Sequence, residues 1–481
     1  ARDSDVFVVS VNVAPRSKVS FNLTYEELLT RRLSAYHHTI NLAPNQIVKE
    51  VSVDVYISEI RNITFLNVST SDDGKILKSG GDDLLVEYLS SLSAHVHFTP
   101  NKEDDMKRLE SGFQQLIIQY DVERALHPSG DIVLMDGYFV HYFAPEDVKP
   151  EPKHVVFVLD TSGSMWGRKL QQVQQAMYSI LDSLRDDDYF SIIQFSTNVL
   201  EWSTQPQDRV GLSRYKFTHP VNEINIAKAK QFIKSMEASG GTNISGALRK
   251  ALQLVAKQEY GTNVVEEAEE KHYIDSHTVP QPMVVFLTDG IATVGELMTG
   301  RILAQVRAIN TEIKVAIFSL AFGDGANYRF LKKLSLQNHG FARKIYESSD
   351  ATLQLQSFYN EIANPLLANV SFTYVENKVD KFSLTTKQFH SYYGGSEIIV
   401  AGKLKNPNKS QIYQRRTGKK VGTLERLWAY LTVRQLLDEY VASTDDDNEN
   451  KRPTVLIENN ENQNENKSSK IRALELSLKV I

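Results

Sequence analysis

The chain contains no cysteine among its 481 residues, which excludes disulfides, thiolate catalysis and cysteine-based zinc sites. It also lacks an apolar run approaching the ~18–20 residues that a helix needs to cross a bilayer. Its net charge of −5 lacks the basic excess typical of nucleic-acid-binding proteins. We therefore expect neither a membrane span nor a nucleic-acid partner.

Catalytic motifs are missing as well. The sequence has no G-x-S-x-G nucleophile elbow and no H-E-x-x-H zinc motif, and its glycine loops lack the lysine of a phosphate-binding loop. The histidines show no spacing typical of metal ligands, although His95 and His97 would share one face of a strand. No third ligand is evident beside that pair. We therefore expect a protein that is not an enzyme.

The length predicts several domains, because single hydrophobic cores stop growing near ~250–300 residues. Composition and patterning divide the chain into four segments. These are a β-rich domain over 1–147, an α/β domain over 148–365, a β-rich region over 366–420, and a helix with a disordered acidic, Asn-rich linker over 421–481.

The first segment carries strand patterns. Apolar and polar residues alternate at 18–25 and again at 47–57, as in half-buried strands. A helix is predicted near 82–92. The whole segment has the composition of a β-sandwich or barrel.

The second segment alternates strands with amphipathic helices. Short Val-rich apolar runs at 154–160, 283–288 and 315–322 are typical of buried parallel strands. Helical periodicity follows at 169–184 and recurs later in the segment. This alternation predicts a doubly wound parallel sheet.

Two of these strands end in carboxylates. Asp160 is followed by Ser162 and Ser164, Asp289 ends a second strand, and Thr242 lies in a Gly-Gly-Thr-Asn loop before a helix. Ligand sites in open α/β sheets lie at the carboxyl ends of the strands, so these side chains should converge. Oxygen ligands suit a hard divalent cation such as Mg²⁺, Ca²⁺ or Mn²⁺. The hydroxyls could also act as helix caps.

A strand with D-x-S-x-S, then G-G-T-N, then a strand with T-D-G resembles the metal-ion-dependent adhesion site of von Willebrand factor A (vWA) domains. The resemblance implies direct contact of Ser162, Ser164 and Thr242 with the metal. It implies that Asp160 and Asp289 act directly or through water. Mg²⁺ is the ion expected, with a coordination position left for an acidic group on a partner.

Residues 19–32, 137–146 and 425–431 resemble the inter-alpha-trypsin inhibitor heavy chains, whose vault protein inter-alpha-trypsin (VIT) domain precedes a vWA domain. The resemblance implies a secreted protein that binds hyaluronan or matrix proteins, with chondroitin sulfate and a Kunitz-type inhibitor chain as further partners. The Asp-Pro-His motif through which family members couple to a glycosaminoglycan is missing here. By this resemblance we expect the natural protein to extend beyond both ends of the sequence.

Glycosylation sequons support the extracellular expectation. We expect glycans at Asn22, Asn62, Asn67, Asn369 and Asn408. Two further sequons begin at residues 243 and 466; a glycan at 243 would obstruct the metal loop, so we expect that residue to be bare. The alternative is an intracellular VIT-vWA scaffold without a glycan partner.

Overall fold

The computed structural model describes residues 12–42, 50–70, 83–99, 114–124, 129–145, 148–204, 218–256, 280–347, 351–405, 424–443, 469, 471–474 and 476–477. The chain forms two compact units. The first joins Ala1–Asp147 with Tyr374–Thr385 and Gly395–Trp428; the second joins Val148–Thr373 with Thr386–Gly394 and Ala429–Ile481. The division into four segments stays a prediction.

The first unit is built from antiparallel strands. Its strands are β1 Arg31–Arg32, β2 Ala35–Leu42, β3 Val53–Ser58, β4 Ile63–Thr70, β5 Leu84–Ser90, β6 Ser93–Phe98, β7 Gln114–Val122, β8 Asp131–Met135 and β9 Tyr138–Phe143, together with β19 Ile398–Lys403. They form sheets ordered β1-β2-β7-β4, β3-β6-β5 and β19-β9-β8. Alternate residues of the first two sheets, such as Val68, Val96 and Ile118, fill one apolar core. The β-rich character predicted for this part is confirmed.

The helix predicted near 82–92 is wrong, because β5 pairs antiparallel with β6 there. Leu85, Tyr88 and Leu89, whose spacing would place them on one face of a helix, are half exposed. Leu84 is buried instead, in the register that strand pairing demands.

The predicted strand at 18–25 is also wrong. Its alternation is present, but these residues form no strand in the structure, and Phe21, Leu23 and Tyr25 are each more than 60% exposed. The strand predicted at 47–57 begins only at Val53; residues 47–49 lie outside the described part of the chain.

The second unit contains a mixed sheet and most of the helices. Its strands are β10 Lys153–Asp160, β11 Tyr189–Phe195, β12 Val199–Glu201, β13 His219–Pro220, β14 Gln281–Thr288, β15 Ala316–Phe322, β16 Ala342–Ile345, β17 Pro365–Ser371 and β18 Gln388–Tyr393. The helices are α1 Arg168–Asp182, α2 Glu223–Lys234, α3 Ile244–Ala256, α4 Thr299–Ile313, α5 Tyr328–Gln337 and α6 Ala351–Ile362; α7 Leu424–Ser443 begins in the first unit.

The large sheet is parallel at its centre. Its order is β12-β11-β10-β14-β15-β16, with parallel pairing from β11 through β16 and antiparallel pairing of β12 and β13 to β11. Every residue of β10 is buried, which explains the unbroken apolar run in the sequence. Alternate side chains enter two separate cores, one on each face: Val155 and Phe157 pack in one, Val156 and Val158 in the other. The predicted doubly wound sheet is confirmed.

A buried ion pair lies where β10 begins. Lys153 is 1% exposed and Asp188 is fully buried, and the lysine ammonium donates to the carboxylate. Asp188 also accepts from the backbone amides of Lys153 at 3.1 Å and Arg185 at 2.9 Å. Burial lowers the pKa of Lys153, and Asp188 opposes that effect.

Residues 257–279, and the part of the predicted acidic, Asn-rich linker between α7 and residue 469, lie outside the described residues. Of the helices that are described, none has the length and apolar content to cross a membrane.

Candidate metal centre in the second unit

The carboxyl ends of β10 and β14 place the two predicted carboxylates side by side. The strands are parallel neighbours with Leu159 opposite Leu287, so Asp160 and Asp289 leave the same edge of the sheet. Both carboxylates are nearly inaccessible, with Asp160 fully buried and Asp289 2% exposed. Buried carboxylates need hydrogen bonds or a cation to offset the cost of losing water.

The first loop turns back over Asp160. The backbone amide of Ser162 donates to Asp160 Oδ1 at 2.8 Å. The hydroxyl oxygens of Ser162 and Ser164 lie 3.1 Å apart, and Ser164 Oγ donates to Asp289 Oδ1 at 2.7 Å. Ser162 is buried whereas Ser164 is exposed, so the group opens to solvent on the Ser164 side.

Thr242 approaches the same point from the second loop. A Cβ atom built on Gly290 would lie 3.7 Å from Ser164 Oγ and 3.8 Å from Thr242 Oγ1. Thr242 is 4% exposed. All three predicted hydroxyls and both predicted carboxylates are therefore brought together at this edge of the sheet.

Backbone hydrogen bonds hold the three loops against one another. Gly163 N donates to the carbonyl of Gly240 at 3.0 Å, and Thr293 N donates to the carbonyl of Thr242 at 3.0 Å. Thr242 N in turn donates to Thr293 Oγ1 at 2.8 Å. The positions of the loops thus depend on peptide groups rather than on the side chains that face the centre.

The second loop ends in a helix cap. Asn243 Oδ1 accepts from the backbone amide of Gly246 at 3.0 Å, at the start of α3, and Asn243 Nδ2 donates to the carbonyl of Thr197. This is the capping role typical of asparagine. It engages both ends of the side-chain amide of this sequon residue.

Electrostatics at the centre are set by burial and by one lysine. Burial raises the pKa of Asp160, although hydrogen bonds from Thr288 and Ser162 oppose the shift. Lys169 Nζ donates to Asp289 Oδ2 at 2.7 Å. Partial burial lowers the pKa of Lys169, but the hydrogen bond and the charge of Asp289 outweigh burial and raise it.

Comparison with known proteins agrees with this architecture. Residues 154–361 match the von Willebrand factor type A domain family. Human inter-alpha-trypsin inhibitor heavy chain H4 is 37% identical over an alignment of 486 positions, and the match covers 95% of this chain and 49% of that protein. Human heavy chain H2 is 35% identical, with coverages of 91% and 46%. Mouse heavy chain H3 is 36% identical, with coverages of 93% and 50%.

The chain is homologous to the inter-alpha-trypsin inhibitor heavy chains. The resemblance predicted from the sequence is confirmed, and the second unit carries a vWA domain. The chain spans about half the length of the curated heavy chains it matches.

The oxygen atoms of this heavy-chain homologue fit a small hard cation. Neighbouring ligands of an octahedral Mg²⁺ lie about 3.0 Å apart, and ligands of Ca²⁺ at right angles about 3.4 Å apart. The 3.1 Å between Ser162 Oγ and Ser164 Oγ lies between these two values and is compatible with either ion. Within the described residues, no three His, Cys, Asp or Glu side chains are placed to hold a metal; this centre has only two carboxylates and relies on hydroxyls.

Sequence reasoning missed three side chains around this centre. Thr288 Oγ1 donates to Asp160 Oδ2 at 2.5 Å. Lys169 Nζ contacts Asp289 and also lies 3.3 Å from Oε1 of Glu347, the third missed side chain. The signals were present: Thr288 belongs to the T-D-G motif, and Lys169 follows D-x-S-x-S at the start of a helix. Glu347 had no sequence signal, because only the fold brings β16 close to β15.

The histidine pair also has a partner that the sequence did not reveal. His95 and His97 share one face of β6, as predicted, and Asp54 Oδ1 lies 2.9 Å from His95 Nε2 and 2.9 Å from His97 Nδ1. Hydrogen bonds from His97 and His95 lower the pKa of Asp54. These contacts are those of a surface hydrogen-bonded cluster.

The predicted glycosylation sites fall at accessible positions where the structure describes them. Asn22 and Asn369 are exposed, whereas Asn62 and Asn67 are partly exposed. Asn62 Nδ2 donates to Glu123 Oε2 at 3.0 Å. Asn408, like the sequon at 466, lies outside the described residues.

Proposed function

We propose that this chain is a secreted plasma- or matrix-type binding protein whose vWA domain captures an acidic group through a divalent cation. The observation that carries the proposal is the convergence of Asp160, Ser162, Ser164, Thr242 and Asp289 at one edge of the sheet. Mg²⁺ is the ion that best suits this all-oxygen set, with Ca²⁺ or Mn²⁺ as substitutes.

The five residues supply two kinds of oxygen atom, which differ in charge. Ser162, Ser164 and Thr242 offer neutral hydroxyls, while Asp160 and Asp289 supply the negative charge, directly or through water. A bound cation would supply Lewis acidity toward a carboxylate oxygen of the partner. Because Ser164 is exposed, the partner would approach on its side. We infer binding rather than catalysis, because the five residues include no histidine to activate a serine hydroxyl, and Asp289, which accepts from Ser164, also accepts from the Lys169 ammonium.

The surroundings favour an acidic protein segment over a polysaccharide. Three exposed apolar side chains, here called the apolar rim, follow Asp160 or Asp289 in the chain: Trp166 is 80% exposed, Ile291 58% and Leu297 54%. Aliphatic and aromatic surface suits the apolar neighbours of an acidic side chain in a protein partner. Hyaluronan, chondroitin sulfate and a Kunitz-type inhibitor chain are the further partners that homology to the heavy chains suggests.

The cation-dependent function is tested by capture from extracellular fluid. The full chain is immobilised and incubated with Mg²⁺ or with EDTA, beside the variants Ser164→Ala and Ser235→Ala. Ser235 is the control, because its exposed hydroxyl only bonds the carbonyl of Phe232 at a helix end. We expect the parent and the Ser235→Ala control to capture partners in Mg²⁺ and not in EDTA. Equal capture in EDTA, or by Ser164→Ala, would refute the proposal.

The apolar rim has its own control. Ile224 is 67% exposed near the start of α2, and the amide of Val221 just before it bonds Asp188 O at the opposite edge of the sheet. Trp166→Ala should reduce capture of a protein partner, and Ile224→Ala should not. A larger loss of hyaluronan capture than of protein capture would assign the rim to the polysaccharide instead.

Secretion is tested separately. The natural protein should lose mass on treatment with an N-glycosidase, with peptide mapping placing glycans at sequons such as Asn22 and Asn369. An unglycosylated natural protein would favour an intracellular VIT-vWA scaffold.

A further inference from the structure

Lys169 connects the candidate metal centre to a third carboxylate. It is the second residue of α1, and its ammonium lies 2.7 Å from Asp289 Oδ2 and 3.3 Å from Glu347 Oε1. The side chains of Lys169 and Glu347 are 23% and 40% exposed, whereas that of Asp289 is 1% exposed. One flexible cation is thus shared between a buried carboxylate of the centre and a carboxylate at its rim.

Both oxygens of Asp289 have hydrogen-bond donors. Ser164 Oγ donates to Oδ1 and Lys169 Nζ donates to Oδ2. Any cation that uses Asp289, directly or through water, therefore shares this carboxylate with an ammonium of the same sign of charge. Like charges held this close inside a partly desolvated site repel strongly.

Glu347 is built into the rim as a second acceptor for the lysine. Gly323 has a φ of +71°, and a Cβ atom placed there would lie 2.0 Å from Glu347 Oε1. Only glycine leaves room for the carboxylate in this position. The four-carbon stem of lysine lets its ammonium change partners with small torsional adjustments.

We propose that Lys169 sets the cation affinity of the centre by competing for Asp289. Lys169 neutralises the buried carboxylate, and it moves fully onto Glu347 when Asp289 serves a divalent cation. This inference rests on the proposed function, because it concerns the same centre. The lysine then weakens cation binding and stabilises the centre when no cation is bound.

The test measures cation binding directly, with Mn²⁺ as the probe in isothermal titration calorimetry on the full chain. Lys169→Met keeps most of the length of the side chain and removes its charge. We expect it to bind Mn²⁺ at least about tenfold more tightly than the parent, equivalent to about 1.4 kcal/mol. Its Tm in EDTA should be lower than that of the parent, and its Tm increase on adding Mn²⁺ should be larger.

Three further variants isolate the contact. Arg168→Met removes the same charge from the adjacent exposed residue and should leave the affinity near that of the parent. Lys169→Arg keeps the positive charge and should bind Mn²⁺ as weakly as the parent does. Glu347→Gln removes the negative charge of the second acceptor and should weaken Mn²⁺ binding below that of the parent.

The outcomes separate the two proposals. Parental affinity in a folded Lys169→Met variant, with Mn²⁺ bound by the parent, would overturn the role of Lys169 and leave the proposed function standing. An equal gain in Arg168→Met would also overturn it, because the effect would then come from net charge. Absence of Mn²⁺ binding in the parent and in every variant would overturn both.

Discussion

Two buried histidines make the second unit sensitive to acid. His154 is fully buried with Nε2 2.9 Å from Ser191 Oγ, and His219 is 4% exposed. Burial lowers the pKa of His154 to about 3 and that of His219 to about 4. Both imidazoles are therefore neutral in the folded chain at pH 5, whereas unfolded histidine, with its pKa near 6.5, is mostly protonated there.

The magnitude follows from linkage. A folded-state pKa below the unfolded value means that the unfolded chain binds more protons, so stability falls as the pH falls through 6.5 toward the folded pKa. Each pH unit in this window costs about 1.4 kcal/mol per histidine. Acidification from pH 7 to pH 5 should then remove about 2 kcal/mol for each residue, or about 4 kcal/mol for the pair.

Urea unfolding of the parent and of His154→Gln and His219→Gln variants at pH 7 and pH 5 measures this loss. Each glutamine variant starts from its own stability at pH 7, so the quantity compared is the change on acidification. That change should be smaller by about 2 kcal/mol in each variant. A variant that loses as much stability as the parent would refute the assignment of acid sensitivity to that histidine.

Three further changes probe other parts of the molecule. Gly290→Ala places a methyl group 3.7 Å from Ser164 Oγ and 3.8 Å from Thr242 Oγ1, where it would crowd a cation held by these hydroxyls. Mn²⁺ affinity, measured by calorimetry, should fall at least about tenfold at unchanged Tm; an unchanged affinity would contradict the position of the centre. Lys153→Met leaves Asp188 buried and should cost about 3 kcal/mol in urea unfolding; a loss below about 1 kcal/mol would indicate a solvated pair. Arg31→Met removes the buried bidentate partner of Asp121 and should destabilise the first unit by about 2–4 kcal/mol, measured by hydrogen exchange in β2 and β7; unchanged protection would contradict it.

The sequence predicts the second unit well because its signals are local and redundant. The apolar runs at 154–160, 283–288 and 315–322 end within two residues of the bounds of β10, β14 and β15, and the helical stripe at 169–184 corresponds to α1. The convergence of Asp160 and Asp289 followed from one rule about the carboxyl ends of parallel strands, whereas Thr242, in a loop before α3, was added through the resemblance to the vWA motif.

The first unit and the rim of the centre were less predictable. In β5 the apolar residues Leu85, Tyr88 and Leu89 have helical spacing yet lie on exposed positions, because pairing with β6 decides the register. Glu347 reaches Lys169 only through the tertiary packing of β16 and the room left by Gly323. Contacts between residues so far apart in the chain leave no periodic trace in the sequence.

The backbone hydrogen bonds between the loops have a practical consequence. Gly163 is tied to Gly240, and Thr293 to Thr242, through main-chain atoms that survive any side-chain replacement. Truncating Ser164 should therefore remove one oxygen while its neighbours keep their places. Each hydroxyl can then be deleted singly and its loss read as chemistry rather than as collapse of the scaffold, which makes this edge of the sheet well suited to dissection atom by atom.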